Sequence, residues 1–164
     1  MQKITPFLWF NDNAEEAVRF YTNVFSDSNI LNMVRYTAAG PGPEGAVMTA
    51  VFELQGQAFI ALNGGPQFRF TEAVSFVVNC ETQEEVDRYW EKLSEGGVKD
   101  RCGWLKDKFG LSWQVVPTAL SRLLSSGDPE RTKRVMEAMM TMDKLQVAVL
   151  EQAYNAETAV SIQH

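Results

Sequence analysis

The chain has 164 residues, 45% of them hydrophobic and 22% charged, enough for one domain or two small modules that bury most of their apolar side chains without covalent staples. A formal net charge of −6 argues against a protein that tracks nucleic-acid phosphates or docks on anionic lipid, since both tasks need a basic field. Two cysteines, Cys80 and Cys102, do not make a disulfide framework, and the apolar run Phe7–Phe10 is too short for a signal peptide or a membrane span, so a cytoplasmic, reducing location is expected.

Ile4–Phe10 is aromatic and branched, as a strand should be, and Asn11-Asp12-Asn13 offers an N-cap to a helix running to about Phe25. Within that helix Ala17, Phe20, Tyr21 and Val24 form one apolar stripe, and Glu15 and Glu16 suit the positive first turn. Strands follow at Ile30–Ala38, Ala46–Leu54 and Gln57–Leu62; Gly40–Gly45, with two prolines, breaks the chain between the first two, and Gln55-Gly56 turns it between the last two.

A second copy of the opening pattern begins at Ala73. Shifted by 69 positions, Ala73–Ser94 overlies Ile4–Phe25, with identities at Phe7/Phe76, Glu15/Glu84, Glu16/Glu85 and Arg19/Arg88. Thr82 or Glu81 caps this second helix, and Val86, Tyr89, Trp90 and Leu93 repeat the stripe. The closing strands align on Gly56 and Gly110, a shift of only 54, so the second copy is fifteen residues shorter and its middle strands are expected to be short or irregular. The chain therefore divides into a βαβββ module at 1–66, a shortened module at 67–117 and a helical extension at 118–164. In the extension Thr118–Leu124 suits a short helix, Asp128-Pro129 starts a second through Met142 with Val135, Met136, Met139 and Met140 as core or interface, and Asp143 caps a third over Lys144–Tyr154; Thr158–His164 is expected to fray.

The βαβββ duplication resembles the vicinal oxygen chelate superfamily of glyoxalases, bleomycin-resistance proteins and extradiol dioxygenases. The segments NGGPQFRFTEAVSFVVNCETQEEVDRYWEKLSEGG, CGWLKDKFGLSWQVVP and RVMEAMMTMDKLQVAVLEQAY resemble its PhnB-like branch, often labelled 3-demethylubiquinone-9 3-methyltransferase. The resemblance implies an α+β fold of two βαβββ modules making a curved mixed sheet. It also implies a divalent metal held from the first and last strands, at positions that align with Pro6, Ile60, Ser75 and Gln114 here. None of the four is His, Asp or Glu, and the one histidine is His164, so no metal and no other cofactor is expected. No strand leads into a helix through a glycine-rich turn of the kind S-adenosylmethionine domains use.

What remains is a cup. Alternation puts Pro6, Leu8 and Phe10 on one face and Ser75, Val77 and Asn79 on its equivalent, with Phe7, Trp9, Phe76 and Val78 turned to the helices. The candidate ligand-binding residues are Ser75, Asn79, Gln114, Phe10 and Trp104. Trp104 and Trp113 suit core packing better than an aromatic cage, Cys80 and Cys102 are taken as unreactive, and Asp107 between two lysines reads as a solvated turn. General acid-base work would fall to Glu53, Asp107 or Tyr36, without a catalytic assignment to any. The expected function is metal-independent binding of a small organic molecule by a homodimer, as the bleomycin-resistance relatives imply; the alternatives are a lyase, isomerase or dioxygenase with an atypical metal site, and a structural or regulatory interaction protein.

Overall fold

The computed structural model describes residues 2–157. They form an α+β fold of two compact units, one reaching to Ala73 and taking in Phe109–Leu111, the other holding Val74–Lys108 and the chain from Ser112 on. The C-terminal helices belong to the second unit. Thr158–His164, including the sole histidine, lie outside the described residues.

In the first unit β1 (Phe7–Phe10), α1 (Ala14–Val24), β2 (Ser28–Arg35), β3 (Val47–Leu54) and β4 (Gln57–Asn63) follow in order. The sheet runs β1-β4-β3-β2, with β1 parallel to β4 and the other pairs antiparallel. The turn between β3 and β4 holds Gln55 and Gly56 both at positive φ, 51° and 81°, the two-residue hairpin that suits the twist of its strands. Ala17, Val18, Tyr21 and Val24 of α1 are buried, and the Tyr21 ring stacks on Phe52, which stacks on its cross-strand partner Phe59. This fixes the helix-facing side of the sheet as the one with Ala50, Phe52, Leu54, Phe59 and Ala61.

The face of β1 follows from its register. Leu8 pairs with Ala61 and is buried, so Leu8 and Phe10 point to the helix side; Phe10 is 2% exposed and meets Phe70 and Phe109 edge-on. Phe7 and Trp9 take the other side, Phe7 54% exposed. The expected facing of β1 is thus inverted, and the expected cup position of Phe10 is corrected with it.

A side chain from the neighbouring strand β4 starts α1. Asn13 occupies the N-cap without a side-chain bond; instead Asn63 Oδ1 accepts the Ala14 N–H at 2.8 Å. The Asn63 amide donates to the Val47 carbonyl at 2.9 Å, and its own carbonyl accepts the Tyr36 hydroxyl at 2.9 Å.

The second unit repeats the order with β5 (Ser75–Cys80), α2 (Gln83–Ser94), β6 (Val98–Lys99), β7 (Trp104–Lys106) and β8 (Ser112–Pro117), in a sheet running β5-β8-β7-β6. The pairing senses match those of the first sheet, and β6 and β7 are as short as the missing residues require. Thr82 caps α2 by accepting the Glu85 N–H, while the Glu85 carboxylate accepts from the Glu81 N–H, a reciprocal arrangement close to a capping box. Val86, Tyr89, Trp90 and Leu93 bury against a sheet face that includes Val78, Leu105, Trp113 and Val115. Gly97 is fixed by space, because a Cβ there would collide with the Lys106 carbonyl and the Asp107 backbone.

The extension adds α3 (Thr118–Leu124), α4 (Pro129–Met140) and α5 (Val147–Asn155). Asp128 caps α4 through the N–H groups of Glu130 and Arg131, with Pro129 in the first turn as the sequence suggests. Leu120, Leu123, Val135, Leu145 and Leu150 make a core that Val116, Met139 and Tyr154 join, while Met136 and Met140 stay exposed. The third helix starts at Val147, three residues later than expected. Asp143 is not its cap. Gln83 of α2 accepts the Val147 N–H at 2.8 Å and donates to the Leu145 carbonyl at 3.1 Å, bracketing Gln146, whose backbone is extended. At the other end Arg134 donates to the carbonyls of Ala153 and Tyr154, satisfying acceptors that the helix leaves open. No helix among the described residues is long and apolar enough to cross a membrane.

Candidate functional site

The side of the second sheet turned away from α2 carries the polar candidates. Cross-strand partners share a face, so Ser75 with Ser112, Val77 with Gln114 and Trp104, and Asn79 with Val116 stand together, with Lys106 opposite Ser112. The structure therefore brings Ser75, Asn79, Gln114 and Trp104 to one surface of the second unit, while Phe10 belongs to the aromatic core of the first. Gln114 Nε2 donates to Ser75 Oγ at 2.9 Å. That bond uses one lone pair of the hydroxyl and leaves its proton and the Gln114 carbonyl to other partners. Val77, in the middle of the face, is 48% exposed, whereas Val116 at its end packs into the core of the extension.

Sequence reasoning passes over Ser112. Its hydroxyl is fully buried and has no hydrogen-bond partner, the one such side-chain atom among the described residues. The available signal was its position two residues before Gln114 in a strand, which puts both on one face.

Asp107 is corrected from solvated turn to buried group: it is 3% exposed, and its Oδ2 accepts the Trp113 indole N–H at 2.9 Å. Trp113 lies on the helix side with Phe76, 5.7 Å between ring centroids, and Trp104 on the other, so the two indoles do not form a cage. Cys80 is wholly buried, and that burial, helped by the nearby Glu85 charge, pushes its thiol up to about 12. Cys102 is half-buried at φ 58°, its Sγ 3.6 Å from the Met139 carbonyl oxygen.

The positions expected to ligate a metal present Ile60, Ser75 and Gln114 on the open faces of their sheets, with Pro6 one residue out of phase. In the corrected register the counterpart of Ser75 is Thr5, whose hydroxyl donates to the Gln2 carbonyl. Two hydroxyls, an amide and an aliphatic side chain do not fit a divalent ion, which takes carboxylates, imidazoles or thiolates. No group of three or more His, Cys, Asp or Glu among the described residues is placed to hold one.

Two four-stranded mixed sheets of the same order, each backed by a helix after its first strand, define the fold of the glyoxalase and bleomycin-resistance proteins. The chain belongs to the 3-demethylubiquinone-9 3-methyltransferase family, the PhnB-like branch of the vicinal oxygen chelate superfamily, whose model matches residues 2–116. It is similar to the PhnB protein of Bacillus cereus, with 43% identity over 71% of this chain and 99% of that one and a TM-score of 0.67. Protein PA1353 from Pseudomonas aeruginosa, 23% identical over 71% of this chain and 98% of that one, gives a TM-score of 0.60. The fosfomycin resistance protein FosX of Listeria monocytogenes shares the fold at 17% identity, covering 76% of this chain and 97% of that one with a TM-score of 0.54. No curated protein matches the chain.

Proposed function

We propose that the protein binds a small organic molecule on the open face of its second sheet, without a metal ion. The observation that carries this is the hydrogen-bonded pair Ser75–Gln114 standing beside Val77 and Trp104, polar groups that converge next to an apolar pair. Asn79, two residues beyond Val77, extends the polar edge. The donor set gives a Lewis acid no seat, so the metal-dependent lyase, isomerase or dioxygenase reading comes second. Methyl transfer is not part of the reading either, because the strand-to-helix junctions, Asn11-Asp12-Asn13, Glu81-Thr82 and the direct step from Pro117 to Thr118, are not glycine-rich turns.

The test is a thermal-shift screen of the purified protein against metabolites and aromatic antibiotics, with hits measured by calorimetry in Ser75→Leu and Gln114→Leu. A hit that both variants bind as well as the parent places the ligand elsewhere. Stoichiometric iron, manganese, nickel or zinc retained through dialysis would instead favour the enzyme reading. The homodimer and cytoplasmic location suggested by composition and resemblance are part of this proposal; light scattering after gel filtration at a monomer mass of 18.4 kDa would refute the first.

A further inference from the structure

One cross-strand row of the open face joins hydrogen-bonding groups to an aromatic ring. Val77, Gln114 and Trp104 stand side by side on β5, β8 and β7, with Ser75 bonded to Gln114. All four side chains reach the surface, Val77 being exposed and the others half-buried. Once Gln114 has donated to Ser75, the pair still holds the Ser75 proton, one Gln114 amide proton and the Gln114 carbonyl oxygen. Trp104 adds another donor. The Trp9 and Trp113 indoles give their N–H groups to the Gly65 carbonyl and to Asp107, and each ring meets a phenylalanine. The Trp104 indole has neither kind of partner among the described residues. Asp100 lies across from Trp104, its N–H donating to the Trp104 carbonyl at 2.9 Å, so the row ends in an acidic residue. Lys106, one row away, has a partner of its own.

We infer that this row selects a flat, uncharged amide, such as a lactam, whose N–H and C=O meet the Ser75–Gln114 pair while its ring lies against Trp104 and Val77. This rests on the binding face proposed above and names its ligand class. A lactam edge sets a donor beside an acceptor, and the pair offers the complement. The Gln114 carbonyl oxygen takes the ligand N–H, and the Ser75 hydroxyl or the remaining Gln114 proton meets the ligand carbonyl. A carboxylate has no proton for the Gln114 oxygen, sets its charge against that oxygen and against Asp100, and gives up hydration with no cation in the row to replace it. A hydrocarbon of the same shape covers the polar pair and leaves its groups unpaired. The Trp104 ring, without an aromatic neighbour of its own among the described residues, is the stacking surface.

The experiment is calorimetry on the full chain with isocarbostyril, its N-methyl derivative and naphthoate. Isocarbostyril is expected to bind about tenfold more tightly than either of the others, since each leaves the Gln114 oxygen without a donor. Its affinity should not change with salt. In Gln114→Leu the gap between the two lactams should close, and Gln114→Met, which keeps the side-chain length, repeats the test should the Leu variant fail to fold. Trp104→Leu should weaken both lactams alike, by about fivefold, while Trp104→Phe, which keeps a ring, weakens them less. Naphthoate or the N-methyl compound binding as tightly as isocarbostyril, no binding by any of the three, or a gap that survives in both Gln114 variants would overturn the inference. If the two lactams bind equally and are lost together in Ser75→Leu, the face binds ligands but does not read an amide. If isocarbostyril binds Ser75→Leu and Gln114→Leu as well as the parent, the binding face itself is refuted.

Discussion

Asp107 accepts the indole N–H of Trp113 at 2.9 Å, and both side chains are 3% exposed. Six residues apart, they lie on either side of the connection between β7 and β8 and fix how the last strand enters the sheet. Replacing Asp107 by Leu leaves a buried indole donor unpaired, which costs about 1–3 kcal/mol. For a chain of this length that is a fall in melting temperature of roughly 2–12 °C. Asp107→Asn keeps an acceptor oxygen and should lose less. Thermal unfolding followed by circular dichroism gives both values, and a Leu variant as stable as the parent would show that the bond contributes nothing.

Asn63 offers a similar test in the first unit. Its side chain caps α1 and ties the start of β3, and its backbone carbonyl takes the Tyr36 hydroxyl. Asn63→Ala removes a cap and a strand tie together, so a loss of about 2–3 kcal/mol is expected in urea unfolding. Asn63→Asp retains the cap acceptor, favoured by the helix dipole, but loses the donor to Val47 and sets a charge against that carbonyl. It should fall between the parent and Asn63→Ala. The ordering, rather than either value, separates the cap from the strand tie.

The same residues explain what the sequence could and could not reveal. Helix stripes and turns are local, and the repeat was legible from them: Ala17/Val86, Tyr21/Trp90 and Val24/Leu93 are all buried at the shift of 69. The strands follow a different shift. Phe7 pairs with Ile60 and Val77 with Gln114, so the strands match at 70, Phe10 with Cys80. The extra residue sits in the strand-to-helix junction, Asn11-Asp12-Asn13 in one copy and Glu81-Thr82 in the other. Side chains alternate with period two, and a one-residue slip turns every one of them to the opposite face. The identity Phe7/Phe76 is therefore a coincidence of composition that put Phe10 in the cup. Ser75, Asn79 and Gln114 share a face all the same, because the slip lies between the two copies and not between β5 and β8. Asp107 and Gln83 were illegible for another reason: their partners, Trp113 and Val147, are set by tertiary packing.

Cys80 and Cys102 should separate cleanly by reactivity. The Cys80 thiol is raised from 9.0 to about 12 by burial and lies at 0% exposure, so at pH 8 it is neutral and out of reach of reagents. Native protein is expected to take up a single equivalent of Ellman's reagent, Cys102→Ser none, and denatured protein two. Because the folded pKa lies above the unfolded one, the contribution of Cys80 to stability is whole below pH 9 and is lost as pH rises toward 12. In Cys80→Ala, whatever the cost of the substitution, that part of the alkaline decline should vanish; an unchanged slope above pH 9 would show that Cys80 does not set it.

Gln83 joins α2 to the extension, taking the first N–H of α5 and giving its amide to both Leu145 and Asp87, the last at 3.0 Å. The bond from Gln83, with the Lys144 ammonium 2.9 Å away, holds the Asp87 carboxyl below the ordinary value of 3.8. A carboxylate depressed in the folded state stabilises above its unfolded pKa, and that contribution disappears as pH falls through and below 3.8. Gln83→Ala should therefore have two effects that Lys144→Met shares only in part. Both variants raise the Asp87 pKa, read by carboxyl carbon NMR. Only Gln83→Ala uncaps α5, at about 1 kcal/mol, and speeds hydrogen exchange in Val147–Leu150. Equal exchange in the two variants would mean that α5 is held by its buried Leu150 alone and that the amide of Gln83 serves Asp87.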